Sequence, residues 1–322
     1  WEQRQQQQRQ QQQGTPRGLH RATSKACEEA GEAEGCDDEK CGNEQKKPRG
    51  MQICGVPVNS LLPYAFIGST LLGGTIFFTL HLPLLSRFLG VQPIAPIAIF
   101  SAIYVVTLIA HFNAACLNPG EVTAEQERFA RDGGPDSSDD EDVNLPRRAH
   151  KSWQYPKAVR RYDHYCRWLN HSVGLMNHRS FFVLLMGLVM VAVLGFVVDA
   201  YVIWNSLVST QPLWKTLCVF LHTFYSLGLL YYVFPIFKLH TQFVARNELE
   251  YEWKNHMYYI VREAKSGLNI PVAELSDDEH NELFDRGAFL YDCTKNPFDR
   301  GFARNCLSFW CHSRRADETG EF

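Results

Sequence analysis

Long stretches without a single charged side chain constrain this chain more than any other feature. From Gly50 to Ser86, and again from Phe88 to Gly120, there is no Lys, Arg, Asp or Glu, and about 20 apolar residues in a helix suffice to cross a bilayer. The first two runs predict spans over Asn59 to Leu85 and Ile94 to Cys116, separated by Pro93 and Pro96, as a helical hairpin. Two later runs predict spans over Ser180 to Trp204 and Trp214 to Lys238, with Tyr201, Trp204 and Trp214 where an aromatic belt would lie. The mean hydropathy of -0.23 would suit a soluble protein, but polar ends dilute the apolar runs. The expected fold class is therefore an all-α membrane protein with four transmembrane helices and a loop domain between the second and third.

Orientation follows from the charge of the connections. The segment from Leu117 to His178 carries nine Lys and Arg residues, whereas the turn after the first span has Arg87 alone and the turn after the third has none. Cationic loops stay on the cytosolic side, which puts both termini and the long middle loop in the cytosol of an endomembrane (Golgi or ER) or plasma-membrane protein. Buried helices of a large soluble protein would not need this asymmetry. The resulting division is a tail over 1–54, spans one and two over 55–116, a linker and loop over 117–179, spans three and four over 180–238, and a cytosolic tail over 239–322.

The tail over 1–54 opens on a Gln/Arg-rich tract and continues as a Cys/Glu/Asp/Lys-rich stretch, too poor in apolar residues to bury a core. It is expected to be disordered. Opening on Trp1 rather than Met fits a fragment or a processed product. With a net charge of -3 and segregated charges, no nucleic-acid partner is expected. Ten cysteines without a C-x-x-C pair argue for reduced thiols rather than a disulfide framework. Inside the spans, Ala65, Ser69 and Gly73 form a stripe of small residues suited to close helix packing or to a lipid tail. His81, His111 and His222 are ionisable positions within the apolar runs, expected to serve as isolated hydrogen-bonded residues.

The middle loop divides in two. Its first half contains the acidic run Pro135 to Asp142, read as solvated linker, in which Ser137 and Ser138 are candidate phosphorylation sites. Its second half is dense in basic and aromatic residues and holds Asp163-His164-Tyr165-Cys166. In an extended segment, side chains i and i+2 share a face, so His164 can reach Cys166 while Tyr165 points away. An imidazole sharing the thiol proton raises the thiolate fraction. Asp163, turned to the far ring nitrogen, would fix the tautomer. That is nucleophile, base and orienting group within four residues. The thiol also lies about a dozen residues before a span, at the depth where the thioester of a fatty acyl-CoA would present itself. Arg160, Arg161 and Arg167 flank it and suit either CoA phosphates or anionic headgroups of membrane lipids.

With these residues in view, the segment Asp163 to Phe182 resembles the core of the DHHC protein acyltransferase family, through Asp163, His164, Cys166, Trp168, Asn170, Val173, Gly174, Asn177, Phe181 and Phe182. Asn118-Pro119-Gly120 is similar to the family's D-P-G. Asn247 and Glu252 keep the ends of its N-x-T-T-x-E motif, with Leu249 and Glu250 in place of the threonines. Asn296, Asp299, Gly301 and Asn305, followed by Phe309, resemble its C-terminal motif.

The family also implies two zinc ions in this loop, and here the departures are complete. The positions of the zinc ligands carry Lys151, Ser152, Tyr155, Ala158, Tyr165 and Ser172. Zinc needs four N, S or O donors, and His150, His171 and His178 without a thiolate are a poor substitute. No bound zinc or other cofactor is therefore expected, and Trp153, Tyr155, Trp168 and their charged neighbours are expected to pack in its place.

The resemblance implies two-step acyl transfer through an acyl-Cys166 thioester, with fatty acyl-CoA as co-substrate and cytosolic or membrane proteins as acceptors. An acyl tail of about 16 carbons, roughly 20 Å long, matches about 13 residues of helix, which nominates Val191 to Val193 for setting chain length. The competing reading is a membrane scaffold that lost catalysis along with zinc. A transporter would want polar residues at mid-membrane in several spans, which these runs do not supply in number.

Overall fold

The computed structural model describes residues 52–53, 56–92, 94–123, 146–209, 212–262 and 267–314. The bulk of the tail over 1–54, the acidic run Pro135 to Asp142 and its two serines lie outside the described residues. Among the described residues, four helices are long and apolar enough to cross a membrane: Leu61–Leu89, Pro96–Cys116, His178–Val208 and Leu213–Arg246.

A two-residue hairpin, β1 (Gln52–Ile53) with β2 (Val56–Pro57), precedes the first span. That span is α1 (Val58–Ile76), one π-helical turn (Phe77–His81) and α2 (Leu82–Leu89). Pro83 has no N–H to donate and its ring crowds the carbonyl four residues back; a wider π turn there absorbs the conflict. Gly90, at φ +65°, ends α2. The second span is α3 (Ile94–Cys116), the third α4 (His178–Val208) and the fourth α5 (Leu213–Arg246).

The α4 helix packs against both α5 and α3 and is the centre of the bundle: half of its most apolar window is buried, against 17% to 22% in the other spans. The remaining faces of those spans are apolar and exposed, as at Leu72, Ile99, Phe112 and Tyr231, the pattern of helices facing lipid. Glycine makes the closest approaches possible. A Cβ on Gly73 would lie 2.7 Å from the Tyr225 ring, and one on Gly187 would lie 2.2 Å from the Thr107 hydroxyl. Gly73, the last member of the small-residue stripe, thus receives a side chain of α5.

The spans extend past the apolar runs at their loop-side ends. The fourth runs on to Arg246 because Asn247, in the left-handed conformation at φ +49°, supplies the stop. Beyond it, although Asn247 to Lys265 has a helix-forming composition, α6 covers only Glu250–Lys254, and Tyr259–Arg262 is strand β5. Tyr, Ile and Val favour a pleated, half-buried surface, and β5 pairs on both sides, with β6 (Asn269–Pro271) and β7 (Leu290–Tyr291). Helix α7 (Asp277–Asp285) is capped by Ser276, and α8 (Phe302–Cys311) closes the described chain.

The C-terminal motif works as a clamp on the end of α5. The Asn296 amide donates to the Arg246 carbonyl at 3.0 Å and the Asn305 amide to the Ala245 carbonyl at 2.8 Å. Asp299 accepts from Asn305, Tyr291 and the Gly301 N–H. Gly301 has φ +87°, where a side chain would be strained. Arg179, on the first turn of α4, donates to the carbonyls of Phe309 and His312, tying α8 to the third span.

Candidate active site

The central hairpin of the loop is β3 (His164–Cys166) paired antiparallel with β4 (His171–Val173), in the register His164 with Val173, Tyr165 with Ser172 and Cys166 with His171. This extended geometry puts His164 and Cys166 on one face. Tyr165 faces the other way and donates to Asn170 at 2.8 Å, where Asn170 sits in the left-handed conformation, φ +51°.

The hairpin is held on the bundle by polar side chains. Asn177, fully buried at the start of α4, accepts from the Gly174 N–H and donates to the carbonyls of Ala114 and Ser172. Asn118 accepts from the backbone N–H of Gly120 and Glu121. That turn lets Pro119 and Gly120 accept from the backbone of Met176 and Arg160. Gly174 is required where these strands cross, since a Cβ there would lie 2.3 Å from Val159 and 2.8 Å from the Pro119 carbonyl oxygen. The result seats Cys166 against the apolar cluster of Ala110, Ala114, Leu169, Val173 and Phe181. Trp168, half exposed, leans on Phe66 of the first span at 6.1 Å.

His164 is turned by two carboxylates. Its Nδ1 lies 2.7 Å from Asp163 Oδ2 and 3.1 Å from Glu250 Oε2. Cys166 follows two residues on along β3, on the same face as the ring, and Phe181 meets that ring edge-on. Burial disfavours the imidazolium, but the Glu250 charge, the hydrogen bond to Asp163, the nearby Cys166 thiol and the Asp163 charge outweigh it, so His164 is held well above the ordinary histidine range. Burial alone would raise both carboxyls; the histidines beside them outweigh it and hold Asp163 and Glu250 well below the carboxylate range. Asp163 is fully buried, and its Oδ1 accepts from the Glu250 N–H at 2.9 Å. His240 of α5 stands behind, 3.8 Å from Asp163 and 3.6 Å from Glu250, and His178 of α4 lies 3.8 Å from Asp163.

Glu250, the second carboxylate on His164, is the candidate site residue missed by sequence reasoning, which read it only as a replaced motif threonine. Its role was hidden because 87 residues separate it from Asp163. A motif position exchanging a hydroxyl for a carboxylate was the available signal. The ends of the same motif are structural. Arg148 makes a two-pronged ion pair with Glu252, at 2.7 and 2.6 Å, and donates to the Asn247 side chain and carbonyl.

Two of the three flanking arginines require correction. Arg160 and Arg161 are 3% and 2% exposed, Arg160 donating to the Gly120 carbonyl and Arg161 to Asn247. They anchor the loop to its own backbone and to the motif after α5, and do not face a CoA phosphate. Arg167 is half-buried and remains at the rim. Val191 lines an apolar cavity among the spans, with Gly73, Phe77, Tyr104, Tyr225 and Ser226.

The six positions aligned with zinc ligands do not fit a zinc ion. Tyr155 donates to Glu121 at 2.9 Å, beside a Lys157–Glu121 ion pair at 2.7 Å. Ala158 is buried, and Tyr165 and Ser172 face each other across the hairpin. His150 stacks on Tyr251 at 4.3 Å, with Tyr162 tilted against His150 and edge-on to Tyr251. Trp153 and Trp168, expected to pack in the metal's place, are instead exposed at 69% and 49%. The hydrogen-bonded tyrosine and the aromatic stack, which lie outside the hairpin strands, pack there instead. Among the described residues, Asp163, His164, His240 and Glu250 also bring donor atoms within 4.8 Å of one another, but ligation there would remove His164 from thiol chemistry.

Residues 140–257 match the family model described as DHHC palmitoyltransferase. The chain is 32% identical over 171 residues to the protein named Palmitoyltransferase ZDHHC12 of Mus musculus, covering 52% of this chain and 53% of that protein. It is 31% identical over 169 residues to the Homo sapiens protein of the same name, with the same coverage. The chain thus spans about half the length of the curated relatives it matches.

Proposed function

Since the chain belongs to the DHHC palmitoyltransferase family, we propose that it is a membrane-embedded protein S-acyltransferase, moving a long-chain acyl group from acyl-CoA to protein cysteines through an acyl-Cys166 intermediate. The observation that carries this reading is the engagement of His164 Nδ1 by Asp163 and Glu250, with Cys166 two residues on along β3 and on the same face. With Nδ1 facing carboxylates, the other ring nitrogen serves the sulfur.

The proton of the thiol resides on His164, and the thiolate attacks the thioester carbonyl of acyl-CoA. The carbon–sulfur bond to CoA breaks, and the leaving CoA thiolate takes the proton from the imidazolium. In the second half, the acceptor cysteine gives its proton to His164 and attacks the acyl-Cys166 carbonyl, releasing the Cys166 thiolate. The acyl tail runs from the apolar cluster at Cys166 into the cavity that Val191 lines. Arg167 at the rim supplies charge for CoA phosphates or lipid headgroups. The loop and both termini face the cytosol, on the argument of loop charge. The reaction runs without bound zinc, because hydrogen-bonded and aromatic side chains hold the loop in its stead.

The complete loss of zinc-type ligands favours one alternative, a scaffold of the same family without catalysis. Hydroxylamine-labile labelling by radioactive palmitoyl-CoA separates the two. Label on the wild type, absent from Cys166→Ser and reduced about 100-fold or more in His164→Ala, supports the enzyme. Equal labelling of all three, or none in a folded wild type, would sink it.

A further inference from the structure

A second cluster of ionisable side chains lies inside the membrane, away from the thiol, and nothing in acyl transfer uses it. His81 comes from the end of the π turn in the first span, Asp199 from α4 and His222 from α5. The Nδ1 atoms of both imidazoles lie 2.6 Å from the one carboxylate, His81 on Oδ1 and His222 on Oδ2. The two rings stand 4.5 Å apart and nearly perpendicular. His81 and Asp199 are completely buried and His222 nearly so. Each residue is eight or nine positions from the end of its helix opposite the loop, so the three share one depth, about 12–14 Å in. The isolated histidines expected at 81 and 222 are therefore parts of one group; of the three, only His111 stands apart from it.

Charge and donor chemistry limit what this group can be for. A carboxylate in the apolar layer is costly without a cation, and among the described residues no ion pair brings Lys or Arg to Asp199. A single imidazole would suffice to hold Asp199 by hydrogen bonding, yet two converge on it from different helices. Each of the three side chains offers a donor atom, and these lie within 4.8 Å of one another. The hydrogen bonds to Asp199 do not exhaust the group either, since His81 Nε2 is buried without a partner. Two imidazoles and a carboxylate are the donor set of open three-ligand sites for borderline divalent metals.

We propose that His81, Asp199 and His222 form an intramembrane site for one divalent transition-metal ion of the zinc class, joining the first, third and fourth spans. The hydrogen-bonded arrangement is its closed, metal-free form. Bonds of about 2.0–2.1 Å to each donor hold ligands roughly 3.3 Å apart in a tetrahedron, so the ion enters by opening each 2.6 Å contact by about 0.7 Å, which rotation of Asp199 allows. Ser226, 3.5 Å from His222 Nδ1, and the adjacent cavity leave the fourth position to a hydroxyl or water. Binding is independent of acyl transfer, so the site stands whether or not the chain is an enzyme.

The test uses the full chain in lipid nanodiscs, stripped with chelator, equilibrated with Zn2+, desalted and measured for bound zinc and melting temperature. The expected result is about one zinc per chain and a higher melting temperature in the wild type and in the double variant His164→Gln/Glu250→Gln, which leaves the other donor group only Asp163 and His240. Asp199→Asn should bind ~10-fold more weakly or worse and lose the zinc-dependent rise. His81→Gln and His222→Gln keep a hydrogen-bond donor for Asp199 but no imidazole ligand, so they should fold and bind no zinc. A wild type that takes up no zinc, or zinc retained by folded His81→Gln and His222→Gln, would overturn the site and leave a hydrogen-bonded staple.

Discussion

Glu250→Gln tests the catalytic geometry most sharply, because it removes one charge and little else. Glu250 Oε2 lies 3.1 Å from His164 Nδ1, and the two side chains are 13% and 11% exposed. At an effective dielectric of about 20, opposite charges at that distance attract by roughly 5 kcal/mol before desolvation is counted. Asp163 remains at 2.7 Å and keeps a large share of the stabilisation. The net effect on His164 should thus be the ordinary one for losing a close opposite charge, about 1–3 pKa units downward, or ~1.4–4 kcal/mol. His164 sits above its ordinary value, so its imidazolium persists at neutral pH and is lost only as pH rises through that raised value. The rate of acyl-enzyme formation should fall at high pH as the imidazolium is lost. In Glu250→Gln that falling limb should move to lower pH by the stated amount, while Glu250→Thr, which restores the family's residue type, should move it the same way. The assay is single-turnover formation of hydroxylamine-labile label on Cys166 between about pH 5 and 10. A falling limb that stays in place in folded Glu250→Gln would refute the role of Glu250 in holding the proton on His164.

Three further substitutions probe the frame around the site. Gly174→Ala must displace Val159 or the Pro119 carbonyl, and overpacking of this kind costs about 1–3 kcal/mol; a lower melting temperature with weaker Cys166 labelling is expected, and an unchanged one would mean the crossing is looser than described. Arg148→Ala strands the buried Glu252 carboxylate, for an expected loss of about 3–5 kcal/mol in denaturant or thermal unfolding, more than any exposed arginine should cost. Val191→Trp fills the cavity lined by Val191, Gly73 and Tyr225 and should shift acyl-CoA preference toward shorter chains in a competition labelling assay. Unchanged preference there would remove Val191 from the acyl path.

The legible parts of this protein were those written in local pattern. Four apolar runs announced the spans because bilayer thickness sets helix length directly. The extended reading of His164 and Cys166 needed only the two-residue period of a strand, and β3 has that form. The paired departure at Tyr165 and Ser172 was legible as one event, and the hairpin register sets the two opposite each other. By contrast, the helix-forming composition of Asn247 to Lys265 did not announce β5, where strand partners from 269–271 and 290–291 override local preference.

Sequence alone thus determined the membrane class, the position of the candidate thiol and the loss of zinc-type ligands, since each rests on residue type and spacing along the chain. Only the tertiary structure decided what surrounds them: Arg160 and Arg161 as buried anchors, Glu250 as a second carboxylate on His164, and Asp199 between two histidines. These depend on groups 23 to 118 residues apart meeting in a low-dielectric interior. There burial decides whether a charge binds a ligand or braces the fold, and a one-dimensional pattern carries no record of burial.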